Sequence, residues 1–315
     1  MSQRSAAEYI RSGQTPFFRL PVVELGMANP YAGADAVLLG VPYDGAVTYQ
    51  PGARLGPYHL RRTSALLQTF HPVHRCDVFR MIRVLDGGNV AFPPFDAAVV
   101  RQRVQAEVAT VVDAGATPFV VGGDHSVALP AMRAVAAVHG PLAVLHVDAH
   151  LDMSGPEVWG EPFHHGAPLR HALLEGLVAP GQLHQVGLRA SWGHPEEGAL
   201  AVAHGARGYP MPVVEARGIE DVTREIRASV GERPLYVTFD VDGVDPAFAP
   251  GTGTPVPGGL TSREALHLLR GMAGARLVGM DVVEVCPALD QADLTCHLGA
   301  CLLYEGLALR ALGPG

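Results

Sequence analysis

What is missing from this chain narrows its function first. It has four cysteines, Cys76, Cys286, Cys296 and Cys301, with none of the C-x-x-C spacing of a structural zinc site. Scattered thiols of this kind are expected to be reduced and buried, as in a cytoplasmic protein. No basic block interrupts a modest net charge of −8, so nucleic acid is not an expected partner. No apolar run is long enough to span a bilayer, which excludes a membrane anchor of that type. The N-terminus carries Arg4, Glu8 and Arg11 and lacks the apolar core of a signal peptide. No repeat, linker or low-complexity tract divides the 315 residues, which predicts one domain over 1–315. Residues 1–35, with Pro16, Pro21 and Pro30, read as a polar, irregular N-terminal arm that can pack on a neighbouring subunit.

The chain does have short β-branched runs alternating with helical periods. Strands are expected at 36–41, 81–85, 117–121, 141–147, 186–188, 235–241 and 276–283. Helices are expected from Pro57 to Thr69, and at 96–114, 127–139, 168–175, 195–204, 219–230, 262–270 and 290–312, with Ser262 as an N-cap. This alternation predicts an α/β fold with a mainly parallel central sheet covered on both faces.

Acids and histidines then gather just after the predicted strands: His125; Asp148, His150 and Asp152; Asp240 and Asp242; Glu284. In an open parallel sheet, ligands bind at the carboxyl ends of strands. Strand side chains alternate, so Asp240 and Asp242 are expected on one side, and Asp148, His150 and Asp152 likewise. Four aspartates at close range repel and raise one another's pKa unless cations balance them. The mixed oxygen and nitrogen donors suit hard-to-borderline divalent metals, with enough ligands for two ions.

Three segments carry a family likeness: Gly122-Gly-Asp-His-Ser126, Asp148-Ala-His-Leu-Asp152, and Phe239-Asp-Val-Asp-Gly-Val-Asp-Pro246 with the Pro250-Gly-Thr-Gly-Thr-Pro255 turn. They resemble the signatures of the ureohydrolases, the family of arginase, agmatinase and the guanidino-acid hydrolases. The likeness runs from Gly40-Val-Pro-Tyr-Asp44 to Glu284-Val-Cys-Pro287. It implies a three-layer α/β/α arginase-like fold and a pair of manganese ions. One ion would be held by His125, Asp148, Asp152 and Asp240. The other would be held by His150, Asp148, Asp240 and Asp242, with Asp148 and Asp240 bridging. Asp124 would orient His125 from behind.

The resemblance further implies hydrolysis of a guanidino compound to urea and an amine by a water shared between the metals. Asp152 would relay its proton, His165 would shuttle protons, and Glu284 would pair with the guanidinium. Ser154 stands where arginase reads the amino-acid head, but the loop around it differs. Agmatine is the expected substrate, with a guanidino acid as the alternative, because Glu157 and Glu161 in the variable loop lean toward an amine tail. Two other readings stay open: an amide hydrolase on the same architecture, and a regulatory protein that kept its metals. A homo-oligomer, trimer or hexamer, is the expected assembly.

Overall fold

A computed structural model describes residues 15–23 and 28–314. The expectations for Arg4, Glu8 and Arg11, and for most of the N-terminal arm, lie outside the described residues. The described part of that arm packs on the chain's own core. Phe17 and Phe18 are fully buried, Phe17 N–H donates to Asp86 at 2.9 Å, and the Arg61 guanidinium lies over the Phe17 ring.

The strands, in chain order, are β1 (Ala36–Val41), β2 (Phe70–His71), β3 (Cys76–Asp77), β4 (Val84–Asn89), β5 (Thr117–Gly122), β6 (Leu142–Val147), β7 (Val178–Val186), β8 (Arg207–Tyr209), β9 (Pro234–Asp240) and β10 (Arg276–Val283). The helices that frame them are α1 (Gly56–Ser64), α2 (Val78–Met81), α3 (Ala97–Asp113), α4 (Ala128–His139), α5 (Pro156–Trp159), α6 (Pro168–Leu174), α7 (Glu196–Ala203), α8 (Met211–Arg217), α9 (Ile219–Val230), α10 (Ser262–Arg270) and α11 (Leu294–Leu312). Eight strands form one sheet in the order β4-β1-β5-β10-β9-β6-β7-β8, and every pairing in it is parallel. β2 and β3 make a separate antiparallel hairpin.

Alternation along each strand feeds two apolar layers. Leu235, Val237 and Phe239 of β9 join one layer with α9, α10 and α11. Tyr236 joins the other, with α3, α4 and α6. Both faces are thus covered, which explains why the strands read as near-continuous apolar runs.

Some local expectations shift. The expected strand 81–85 begins only at Val84, because the residues before it close the short α2. Of the expected strand 186–188 only Val186 is strand, the last residue of the longer β7, whose Ala179, Pro180, Gly181 and Gln182 hide its period. β8 is too short to show a period of its own. The N-cap of α10 is Thr261, not Ser262: Thr261 Oγ1 accepts from Glu264 N–H while the Glu264 carboxylate accepts from Thr261 N–H, a reciprocal cap.

Candidate metal centre and active site

The central strands β5, β10, β9 and β6 are neighbours, and their carboxyl ends carry His125, Glu284, Asp240 with Asp242, and Asp148 with His150 and Asp152. The chain leaves β5 for β6 three places across the sheet and later fills the gap with β9 and β10. Crossovers then run in opposite directions on either side of that gap, which opens a crevice where ligands bind in such sheets.

Backbone detail puts the side chains in place. Asp240 ends β9, but Asp242 sits in a 3-10 turn, Val241–Gly243, so strand alternation does not align the two. Asp240 Oδ1 accepts from Asp242 N–H at 2.8 Å and fastens that turn. Asp148 follows β6, and Asp152 adopts a left-handed φ of 53°. That turn, rather than a shared strand face, brings Asp152 back toward His125. Glu284 likewise has φ 61°. Non-glycine residues there cost free energy that surrounding structure must offset, and such residues cluster at functional sites. Two signature glycines allow the loops to meet. A Cβ on Gly123 would fall 1.6 Å from the Tyr43 carbonyl oxygen, and one on Gly243 would fall 2.8 Å from the Asp148 nitrogen.

The result is a buried nest. His125 Nδ1 lies 2.8 Å from Asp152 Oδ2, 3.2 Å from Asp148 Oδ2 and 3.3 Å from Asp240 Oδ2. His150 Nδ1 lies 3.2 Å from Asp148 Oδ1 and 3.1 Å from Asp242 Oδ2. The two groups share Asp148, one oxygen to each side. All six residues named from the sequence meet here, and donors of this kind at these spacings could hold two divalent cations.

His125 is oriented from behind. Its Nε2–H donates to Thr238 Oγ1 at 2.8 Å, and the Thr238 hydroxyl donates to Asp281 Oδ1 at 2.7 Å. Tyr236 OH donates to the other Asp281 oxygen, also at 2.7 Å. Nδ1 therefore faces the carboxylates with its lone pair unless a proton is added. It is buried beside Asp152 Oδ2, yet neither atom makes a hydrogen bond. A lone pair among carboxylates is repulsive, and a cation between them removes the repulsion. The donor set thus fits a metal.

Asp124 does not orient His125 as the resemblance implied. Its carboxylate accepts from Ser126 N–H at 3.1 Å and Ala46 N–H at 2.9 Å, which ties the turn to the 43–48 loop. Thr238 and Asp281 do the orienting. Their signal is the polar pair inside two apolar strands, which the sequence reading passed over. Arg189 was also missed. It donates to the carbonyls of Asp242 (2.7 Å), Gly187 (3.0 Å) and Val256 (2.9 Å), and so pins the loop after β9.

Charge in this nest is held by competition. Burial and the charges of Asp242 and Asp148 push Asp240 well above the ordinary carboxylate range. Burial and Asp148 push Asp242 up to about 6. Burial would raise Asp148 too, but the adjacent histidines, His146 foremost, hold it well below its ordinary value. Burial would lower His150, but Asp242 and Asp148 outweigh it and push it up to about 12. His125 also stays well above its ordinary value against burial, through Asp152 and its neighbours. Without metal, the nest keeps protons where cations would sit.

A cavity of about 270 Å³ opens above it, lined among others by Asp152, Asp240, Asp242, His165, Ser154 and Glu197. His165 Nδ1 lies 2.9 Å from Glu284 Oε1, which also accepts from His125 N–H at 2.9 Å. Glu284 is therefore buried beneath His165, with Oε1 committed. Burial would lower the His165 ring, but Glu284 raises it to about 9. The Thr48 N–H at 3.1 Å calls for a lone pair on His165 Nε2, while the Thr48 hydroxyl at 2.8 Å can accept a proton from it. His164 also lines the cavity, with Nε2 unpartnered.

Farther out, Ser154 Oγ donates to Glu197 Oε1 at 3.3 Å, and Gly193 and His194 N–H groups donate to the same oxygen at 3.1 Å each. Glu157 and Glu161 do not line the cavity. Glu157 lies 3.9 Å from Arg170, and Glu161 accepts from Phe163 N–H. Glu197, which the sequence did not single out, is an acid of the cavity wall away from the nest. The chain's two tryptophans, Trp159 and Trp192, stand half-exposed at the rim.

Comparison with known proteins agrees with this geometry. The Arginase family matches residues 34–308. Proclavaminate amidinohydrolase of Streptomyces clavuligerus is 42% identical over 87% of this chain and 88% of its own. Its solved structure superposes with a TM-score of 0.89 at 40% identity, covering 95% of this chain and 97% of that one. Guanidinopropionase of Pseudomonas aeruginosa is 41% identical over 97% of this chain and 95% of its own. Agmatinase of Neisseria meningitidis is 39% identical over 93% and 92%. With its parallel sheet, its nest of aspartates and histidines and these relatives, the chain belongs to the arginase family and is an amidinohydrolase, a hydrolase of linear amidine C–N bonds.

Proposed function

We propose that the chain hydrolyses an amine-tailed guanidine, agmatine by preference, to urea and a diamine, using two manganese ions. The observation that carries the metal reading is the unpartnered pair His125 Nδ1 and Asp152 Oδ2, buried among further carboxylates. His125, Asp148, Asp152 and Asp240 would hold one ion, and His150, Asp148, Asp240 and Asp242 the other. When bound, such a pair supplies an acidified water close to neutral pH. Asp152 accepts a proton from the attacking water and returns it toward the departing amine nitrogen. Glu284, which lies beneath His165 and does not itself line the cavity, would reach the guanidinium with its second oxygen only past that ring, in a directional charge-assisted pair. His165, held by Glu284 at Nδ1 and by Thr48 at Nε2, would shuttle protons at the cavity wall.

The tail reading rests on cavity chemistry. A carboxylate tail needs a cation or a nest of N–H groups. The whole chain contains no lysine, and no arginine lines the cavity among the described residues. Glu197 and the two tryptophan faces suit an amine instead. The second reading, a guanidino-acid hydrolase, is favoured by the names of the relatives at 42% and 41% identity. Urea release from agmatine, arginine, 4-guanidinobutyrate and 3-guanidinopropionate, compared as kcat/KM with manganese, separates them. Agmatine is expected to lead by at least about tenfold, the scale of one well-placed polar contact. A guanidino acid in first place overturns the amine reading and leaves the metal centre standing.

A further inference from the structure

One rung of the sheet is polar across four strands, while the rungs beside it are apolar apart from His184. Asp281 of β10 pairs in register with Thr238 of β9, Thr238 with His146 of β6, and His146 with Gln185 of β7. All four are buried to within 1%. The Asp281–Thr238 half orients His125, as described above. The other half has no assigned role, and it ends on the carboxylate that the two ligand groups share.

His146 Nε2 lies 2.8 Å from Asp148 Oδ2, close enough for His146 to be grouped with His125, Asp148 and Asp152 as a possible metal ligand. The hydrogen bonds decide against that. The Gln185 amide nitrogen is 2.9 Å from the Leu151 carbonyl oxygen, which can only accept. This fixes which end of the amide is nitrogen. The same nitrogen is 3.0 Å from His146 Nδ1, so Nδ1 must accept. With Nδ1 accepting, the ring carries its hydrogen on Nε2 and donates it to Asp148.

We infer that His146 is a positioning residue for the metal centre, locked by Gln185 and Leu151 as the Nε2–H tautomer that holds Asp148 in place, and that it is not a ligand. The inference rests on the metal-centre reading above. The chain of bonds ties two points of one loop together: Leu151, between His150 and Asp152, at one end, and the Asp148 carboxylate at the other. A ring donor behind a shared carboxylate fixes which lone pairs point at the cations and keeps the carboxylate from turning away.

The test uses the full chain and manganese chloride. Nitrogen-15 NMR of the metal-free protein reads the His146 tautomer directly, and calorimetry with elemental analysis gives manganese affinity and stoichiometry. We expect the Nε2–H tautomer. His146→Leu should bind two ions per chain about 10–100-fold more weakly than the parent. His146→Gln, whose amide N–H can replace Nε2–H, should recover most of that loss. Gln185→Leu should release the tautomer and weaken binding in the same direction, and it decides the matter if His146→Leu fails to fold. An Nδ1–H tautomer, or a His146→Leu protein that binds as the parent does, overturns the inference. A drop from two ions to one makes His146 a ligand and overturns it equally. A parent that takes up no manganese defeats the metal-centre reading itself, which distinguishes the two failures.

Discussion

Thr238→Val is the sharpest probe of how this fold positions its chemistry. Valine matches threonine in shape and leaves no cavity, so only the hydroxyl is lost. Two hydrogen bonds disappear with it: His125 Nε2–H to Thr238 at 2.8 Å and Thr238 to Asp281 at 2.7 Å. Thr238 and Asp281 are fully buried and His125 almost so, so water cannot replace either bond. Asp281 keeps Tyr236 as a donor, but the imidazole N–H is left without an acceptor. A stranded buried polar group costs about 1–3 kcal/mol, and a bond to a charged carboxylate is worth about 1.5–3. The sum is about 2.5–6 kcal/mol, or a fall in melting temperature on the order of 4–9 °C for a domain of this size. Manganese affinity should also fall by about 10–100-fold, because the ring loses what turns Nδ1 toward the carboxylates. Calorimetric melting of the metal-free variant and manganese titration measure both effects. Thr238→Ser, which keeps the hydroxyl, should retain most of the metal affinity. A Thr238→Val protein that melts within about 1 °C of the parent and binds manganese equally well refutes the orienting role.

Other consequences are as specific. Asp240→Asn should abolish urea release, since it removes one of the two carboxylates, with Asp148, that the proposed assignment gives to both ions. The metal-free variant should melt no lower than the parent, because burial and neighbouring acids disfavour the Asp240 charge; a cooperative loss of fold in circular dichroism contradicts this. Manganese binding should tighten as pH rises, because His150, raised to about 12, and Asp242, raised to about 6, must surrender protons to the cations. The sign for the fold follows from the same shifts. The Asp242 value lies above its unfolded one, so its contribution is complete below the unfolded value and is lost as pH rises through about 6. Manganese should therefore raise the melting temperature more at about pH 8 than at about pH 5, and an equal rise at both contradicts the proton competition. Glu197→Gln should raise KM for agmatine by about 5–20-fold with a smaller change in kcat, since under the proposed amine reading the carboxylate would meet the tail rather than the reacting carbon. An unchanged KM assigns Glu197 to loop anchoring alone.

Much of this is legible in the sequence alone. The β-branched runs ending in acids marked the sheet and the end of it that carries chemistry, because apolar alternation and a charged terminus are local properties. Strand β10, expected at 276–283, matches residue for residue. What sequence could not show is how the acids approach one another. Strand periodicity suggested shared faces for Asp148, His150 and Asp152, whereas a left-handed turn at Asp152 and a 3-10 turn at Asp242 do the work. The supporting residues were hidden for a different reason. Thr238, His146, Gln185 and Asp281 are neighbours only across the sheet, and their roles follow from strand order, which a linear reading does not contain. Glu197 was overshadowed by Glu157 and Glu161, which are nearer the signature in sequence but do not line the cavity.

The most direct test is to offer agmatine labelled at its guanidino carbon to the manganese-loaded chain and to the same chain stripped by chelator, and to follow the label. The account predicts labelled urea and an equal amount of diamine from the loaded protein, and none from the stripped one until manganese is returned. Full loading with two ions and no urea from agmatine or from any of the guanidino acids would contradict it.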